Sequence, residues 1–416
     1  MPAPEVEGID LADLARFQRG IPHRDFARLR SAAPVYRNPG RDGGSWSLTR
    51  HEDVCAVNRD ARAFSSELRG VMMFDQSALE APAGAPPRMM IEIDPPRHTR
   101  YRRLVNRGFT PRMVAALEPR MREIARAAVG EAVARGAFDF AAELANRLPV
   151  QMICELVGVP PGDQRYVEGL SDRIQAGAAQ GATGAGIAHA EIAELCEYAN
   201  RLGEQKRREL AGGREPDDIS TTLLSADVDG QALSPSEFGL FFLLLAVAGN
   251  ETTRSALSWG ALAFAEHPEQ WARLRARPEL LGSAVEEILR YSSPILYMAR
   301  TATRDVEIRG EKLREGERVV LWYASANFDE AVFDEPLRFD VARAPNEHVA
   351  FGAGGPHFCL GASLARLELR VMLDELLARV AELRLAGPVV HAGSNFSNGI
   401  LSLPLEVAPA RGGGSA

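Results

Sequence analysis

The stretch HVAFGAGGPHFCLGASLAR, His348 to Arg366, sets a lone cysteine, Cys359, between a glycine-rich loop and the start of a helical pattern. Leu360, Leu364, Leu367 and Val371 recur at helical spacing, so a helix begins there. Its positive end draws a thiol toward the thiolate. Gly352, Gly354, Gly355 and Gly361 let the backbone approach a flat bulky object and leave amides free to point at the sulfur.

The other cysteines, Cys55, Cys154 and Cys196, are scattered along the chain and form no C-x-x-C pair, which argues against a zinc or iron-sulfur cage and suits a reducing compartment. A lone thiolate in such a cradle is what a haem iron needs from a ligand that favours O–O cleavage. Two other readings stand beside it. One is a free cysteine in a loop; the other is a cysteine hydrolase, for which no histidine and acid stand out as partners.

A second segment is Ser234-Pro235-Ser236-Glu237, which combines a serine cap, proline in the first turn and a glutamate three residues after the cap. Phe238 to Ala248 follow, apolar on every side, as in a helix buried through the middle of a protein. Asn250 and Glu251 interrupt it too early for a membrane span. In Ala248-Gly249-Asn250-Glu251-Thr252-Thr253, a glycine and a hydroxyl able to bond back to a carbonyl predict a local bulge. An acid and hydroxyls there fit a proton relay, Glu251 feeding protons through water and Thr252 holding them; a polar kink satisfied by buried water is the plainer reading.

Glu287 and Arg290 are i,i+3 neighbours on a helix ending near Tyr291, a spacing that by itself means little. His98 and Arg102 lie i,i+4 on a helix begun by Asp94-Pro95-Pro96 and can clamp an anion together, or form a basic face in water.

The 416 residues are 46% hydrophobic and 25% charged, enough for a sizeable core. A net charge of -8 gives a nucleic-acid partner no electrostatic support. Without a secretory signal or an apolar run of about 18 residues, the chain reads as cytoplasmic with no membrane anchor. Helical patterns dominate from about Asp94 to Tyr291, and strand patterns cluster at Pro34 to Leu48, Val306 to Trp322 and Ile400 to Val407. The expected architecture is a mainly α domain with a small β-rich region spanning 1–416, its ends at 1–10 and 411–416 disordered. Gly177 to Ala190 reads as a mobile connection or a plain surface loop, and Gly70 to Met90 as a loop whose soft apolar residues line something.

In this order along one chain, these segments resemble a bacterial cytochrome P-450 over nearly the whole length. The family motifs fall on Phe351 to Gly361, on Ala248 to Thr252, on Glu287 to Arg290, on His98 with Arg102, and on Pro336, Arg338 and Phe339. Between Phe351 and Cys359 there is one residue more than the commonest F-G-x-G-x-H/R-x-C spacing, which a bulged loop would absorb. The resemblance implies a triangular prism fold and haem b, bound by Cys359 on the iron, by Gly361, and by His98, Arg102, Arg300 and His357 on the propionates. Glu251 and Thr252 would deliver protons, and Glu287, Arg290 and Arg338 would form a structural ion network.

The implied activity is a monooxygenase that uses O2, with electrons from a ferredoxin and ferredoxin reductase, to hydroxylate an unactivated C–H bond of a hydrophobic small molecule. The ferredoxin would dock on the basic segment Arg97 to Arg112. Pocket candidates are Val71, Met72, Met73, Phe74, Leu244, Val247, Ala248, Ile295, Leu296, Met298 and Ile400. The longer cysteine loop, the stretch Ala248 to Arg254 and the stretch Ser394 to Ile400 resemble a subgroup acting on steroid side chains and methyl-branched lipids. A natural-product oxidase of the same family, with a macrolide, terpenoid or peptide substrate, and a haem-binding sensor without turnover are the other readings; the acid and threonine disfavour a peroxide-driven relative.

Overall fold

Ser234 opens the longest described helix as its sequence requires. Its hydroxyl accepts from Glu237 N at 3.2 Å, Glu237 Oε2 accepts from Ser234 N at 2.8 Å, and Pro235 fills the first turn. The structure, a computed structural model, describes residues 6–40, 44–73, 88–180, 189–213, 218–225 and 233–410. In chain order the helices are α1 (His23–Ala32), α2 (His51–Arg59), α3 (Arg97–Asn106), α4 (Pro111–Ala116), α5 (Glu118–Arg135), α6 (Arg147–Leu156), α7 (Gln164–Gln180), α8 (His189–Ala211), α9 (Ile219–Ser225), α10 (Pro235–Glu266), α11 (Pro268–Ala276), α12 (Leu281–Ser292), α13 (Tyr323–Ala326) and α14 (Ala362–Arg379). The strands are β1 (Val35–Asn38), β2 (Ser45–Leu48), β3 (Phe64–Ser65), β4 (Ala137–Asp139), β5 (Tyr297–Ala302), β6 (Val306–Ile308), β7 (Glu311–Leu313), β8 (Arg318–Trp322), β9 (Val380–Leu385), β10 (Val390–His391), β11 (Ile400–Ser402) and β12 (Pro404–Pro409).

The helical body and the strand-rich flank fall where the sequence patterns put them. α10 passes through the largest core cluster, against α6, α8, α12 and α14. It remains α-helical through residues 249–253, so the expected bulge is absent. The back-bond that motivated it does form, Thr252 Oγ1 donating to Ala248 O at 2.9 Å, and the helix tolerates it without breaking.

The main sheet has the order β1-β2-β8-β5-β3, parallel between β2 and β8 and antiparallel elsewhere. Its two faces pack two separate cores, because successive side chains of a strand point opposite ways. On β8, Val319 and Leu321 join Val54 and Val57 of α2, whereas Val320 and Trp322 join Phe17 and Phe26.

Val6, Ile9 and Leu11 are buried in that last cluster, and Tyr36 Oη donates to Ile9 O at 2.6 Å. The expectation of disorder through residue 10 is therefore corrected from Val6 onward: apolar side chains there cover the far face of the sheet. Residues 1–5 and 411–416 lie outside the described residues, as do 181–188 of the expected mobile connection. The rest of that connection belongs to the ends of α7 and α8.

Candidate active site

Cys359 sits two residues before Gly361, the N-cap of α14. Three glycines of the preceding loop have left-handed backbone: Gly352 (φ 85), Gly354 (φ 84) and Gly355 (φ 77). A Cβ on Gly355 would come within 2.5 Å of Asn58 O. These glycines thus serve a close approach to the end of α2. Gly361 differs, since a Cβ there meets nothing within 4 Å. Cys359 N donates to Phe351 O at 2.9 Å, closing the loop under the sulfur.

Cys359 is exposed, yet desolvation by the surrounding protein raises its thiol pKa, against the Gly361 amide and the charges of Arg102 and Arg366. The two observations together describe a sulfur that lines an inner space. Its thiol is not drawn toward the thiolate by the helix end alone, contrary to the sequence expectation, because burial outweighs that contribution.

Four cationic or ionisable groups converge beside it. The His98 and His357 rings lie 4.3 Å apart, and both residues feel the charges of Arg102 and Arg300. Burial first, and those charges next, push His98 down to about 4 and His357 down to about 2. Burial also lowers Arg102 and Arg300. His98 is 1% exposed with Nδ1 lacking a hydrogen-bond partner, while His357 Nε2 meets Ser66 Oγ at 3.2 Å. Mutually repelling groups with an orphaned buried nitrogen have the chemistry of an anion site.

On α10, Ala248 is exposed although the helix is otherwise exposed only at its ends, at Pro235, Ser236 and Glu266. Leu244, Val247, Glu251 and Thr252 are half-buried, and all five fall on one face at helical spacing. The next position is tight: a Cβ on Gly249 would lie 2.8 Å from Ile153 Cδ1. Glu251 pairs with Arg254 at 2.5 Å and accepts from Ser255 Oγ at 3.2 Å.

The pocket residues expected elsewhere divide. Leu296 (0%) and Ile400 (1%) have essentially no surface, so neither lines an open face; Leu296 points into the N-terminal core with Tyr297. Ile295 and Met298 pack partly buried on the other side of the sheet. Val71 O accepts from Ala299 N at 2.7 Å, Met72 O accepts from Arg318, and Met73 N donates to Tyr297 Oη at 3.1 Å, which pins the start of the early loop along β5. Phe74 lies outside the described residues.

Behind the cysteine loop, Glu287 and Arg290 are both 0% exposed and form a two-pronged pair at 2.8 Å. Arg338 is not the third member. Its side chain is half exposed and pairs with Glu335, and only its carbonyl meets the guanidinium of Arg290. Arg343 takes that place, 3.1 Å from Glu287, with Asn346 Nδ2 donating to the same carboxylate. The sequence signal was a second arginine five residues on, in Arg338-Phe339-Asp340-Val341-Ala342-Arg343.

A sequence profile of the family Cytochrome P450 matches residues 186–277 and 276–381. A steroid C26-monooxygenase of Mycobacterium tuberculosis is 39% identical over 415 residues, covering 96% of this chain and 93% of that protein. The chain belongs to the cytochrome P450 family. A methyl-branched lipid omega-hydroxylase of M. tuberculosis is 40% identical, covering 97% of this chain and 96% of its own length. The cytochrome P450 CYP268A2 of Mycobacterium marinum, solved with pseudoionone, superposes with a TM-score of 0.87 at 35% identity over 98% of this chain and 99% of that one.

The protein therefore has the mainly helical P450 fold and is a haem-thiolate monooxygenase that uses O2 and electrons from a redox partner to hydroxylate hydrophobic molecules. The residues present fit such a P450 cofactor: an exposed Cys359 on an inner face, open space above Gly361, and the buried Arg102 and Arg300, whose charge Asp94 offsets only in part, with the unpartnered His98 Nδ1. No helix among the described residues is long and apolar enough to cross a membrane.

Proposed function

We propose that this P450, acting as one unit in the cytoplasm, hydroxylates a steroid side chain or a methyl-branched lipid, with haem b bound through Cys359 and electrons supplied by a ferredoxin and its reductase. The observation that carries this reading is the apolar stripe of half-buried Leu244 and Val247 and exposed Ala248, running into Thr252 in the middle of a helix whose neighbouring positions are buried. Such a stripe offers an extended apolar contact ending at a hydroxyl, as a long hydrocarbon substrate attacked at its end requires. The names of the two mycobacterial relatives point to the same substrate classes.

When bound, the haem supplies reductive activation of O2. Cys359 would be deprotonated by the metal it ligates, which overcomes the burial that raises its free thiol. His98, Arg102, Arg300 and His357 would hold the propionates, which supply the counter-charge those residues lack. Glu251, once turned away from Arg254, would take a proton from water and pass it on toward the Thr252 hydroxyl, whose own hydrogen is held by Ala248 O so that its oxygen is free to accept. Glu287, Arg290 and Arg343 would keep the cysteine loop's support rigid.

A groove of about 1200 Å³ lined by Arg59, Arg62, Arg100, Arg103 and Pro356 of the cysteine loop supports docking of an acidic ferredoxin there. The side chain of Arg107, expected in the same patch, lies outside the described residues.

Titrating sterols, methyl-branched fatty acids, terpenoids and macrolides against the ferric protein tests the substrate class. Spin-state shifts with the first two are expected; shifts confined to the others would replace the lipid reading with a natural-product one. Cys359→Ser is expected to abolish the strongly red-shifted band of the reduced CO complex, and its survival would exclude the ligand assignment.

A further inference from the structure

Asn58, in the last turn of α2, is 3% exposed and uses both ends of its amide. Oδ1 accepts from Arg300 Nη2 at 2.9 Å and from Tyr323 Oη at 3.2 Å. Nδ2 donates to Gly354 O at 2.7 Å, five residues before Cys359. The neighbouring Arg59 Nε donates to Ala353 O at 2.8 Å, and the Asn58 carbonyl abuts Gly355, so the end of α2 and the glycine turn are fitted closely along several atoms.

This amide has a demanding set of partners. Two donors converge on its oxygen and one carbonyl lies against its nitrogen, so an acceptor and a donor are both required. An aspartate would set a carboxylate oxygen against Gly354 O and would neutralise Arg300. An asparagine orients the guanidinium while leaving its positive charge for another anion. Arg300 itself is 3% exposed, and it also donates to the neutral Ala299 carbonyl at 2.8 Å.

We propose that Asn58 is a positioning residue that ties the Arg300 guanidinium to the loop carrying Cys359, so that the grip on the haem acids and the placement of the sulfur are set by one side chain. The inference rests on Arg300 facing the haem acids and Cys359 facing the iron. Asn58 touches neither the haem nor the substrate in this account; it acts through Arg300 and Gly354.

The test measures haem release from the holoenzyme to excess apomyoglobin, with the fraction of the reduced CO complex carrying the red-shifted band, in Asn58→Asp, Asn58→Ser, Arg300→Gln and the double variant Asn58→Ser/Arg300→Gln. Asn58→Asp keeps an acceptor for Arg300 but neutralises its charge and sets a carboxylate oxygen against Gly354 O in place of a donor, which predicts release accelerated about tenfold. Asn58→Ser, which adds no charge and holds the fold more gently, is expected to be accelerated by about threefold, with a smaller red-shifted fraction in both. The double variant is expected to release haem faster than Arg300→Gln alone, through the lost Gly354 bond, but by less than the product of the two single effects, because the part carried by the arginine is lost only once; purely structural damage would instead multiply the two effects. Accelerated release in Arg300→Gln with wild-type behaviour in both Asn58 variants would overturn the role of Asn58 alone. Unchanged release in Arg300→Gln would overturn the assignment of Arg300 and this inference with it.

Discussion

The Thr252 hydroxyl donates to the carbonyl of Ala248, 2.9 Å away and one turn earlier on α10. That bond holds the hydroxyl on the exposed face while the helix continues unbroken. Thr252→Ala is expected to lower product formed per electron consumed severalfold, with peroxide or water accounting for the rest, whereas Thr252→Ser retains most of the coupling. Thermal stability should move by less than about 1 kcal/mol, since alanine is the better helix former. Full coupling in Thr252→Ala would remove Thr252 from the proton relay.

Glu287 and Arg343 lead to a second expectation. Glu287→Gln leaves two buried guanidiniums without their carboxylate, which is expected to cost about 3–5 kcal/mol. Arg338→Ala removes only a surface partner of Glu335 and should change stability by less than about 0.5 kcal/mol. Denaturant unfolding of both variants checks the pair. Equal losses would restore Arg338 to the network.

Glu368 is 2% exposed on α14, and burial, only partly opposed by its hydrogen bond with Thr253, pushes its carboxyl up to about 8 from an ordinary value of 4.5. The folded protein then keeps a proton that the unfolded chain releases. Its contribution to stability is complete below the ordinary value and is lost as pH rises through about 8, with a slope of at most about 1.4 kcal/mol per pH unit. Glu368→Gln, which cannot ionise, is expected to flatten that part of the stability profile. Unfolding measured from pH 5 to 9 decides it, and an unchanged slope would refute the protonated state.

Arg100 and Arg103 line the groove beside the cysteine loop. Charge reversal at both is expected to slow association with an acidic ferredoxin by about tenfold at low salt, with the difference shrinking as salt rises. Substrate-induced spin shifts should be unaffected. Stopped-flow reduction at several ionic strengths separates the two, and salt-independent kinetics would count against this docking face.

Much of this arrangement was legible because it depends on local rules. The capping box at Ser234 and Glu237 fixes where α10 begins, and helical spacing after Cys359 fixes α14. Other features depend on which side of an element faces what. Leu296 and Met298 are both apolar and, two positions apart, would share a face of one strand, yet they join different cores because Leu296 precedes β5 and lies outside its alternation. Arg338 and Arg343 look alike as letters; only the folded segment brings the second to Glu287 and turns the first outward. Val6 and Ile9 sit in a stretch whose composition suggests a loose end, and their anchoring comes from aromatic residues such as Phe17 and Trp322 far along the chain. The bulge at Gly249 fails for a similar reason: packing against Ile153 keeps the helix regular where propensity alone would relax it.

Positions 248 and 249 are adjacent, and they would respond to change in opposite ways. Enlarging Ala248 adds bulk where there is room, so the shape presented to a guest molecule can be retuned one methyl group at a time. A side chain at Gly249 would press on the Ile153 side chain of α6, which must shift to admit it. Along one edge of this helix, descendants of the sequence are free to drift toward new substrates, while the other edge holds them to the same architecture.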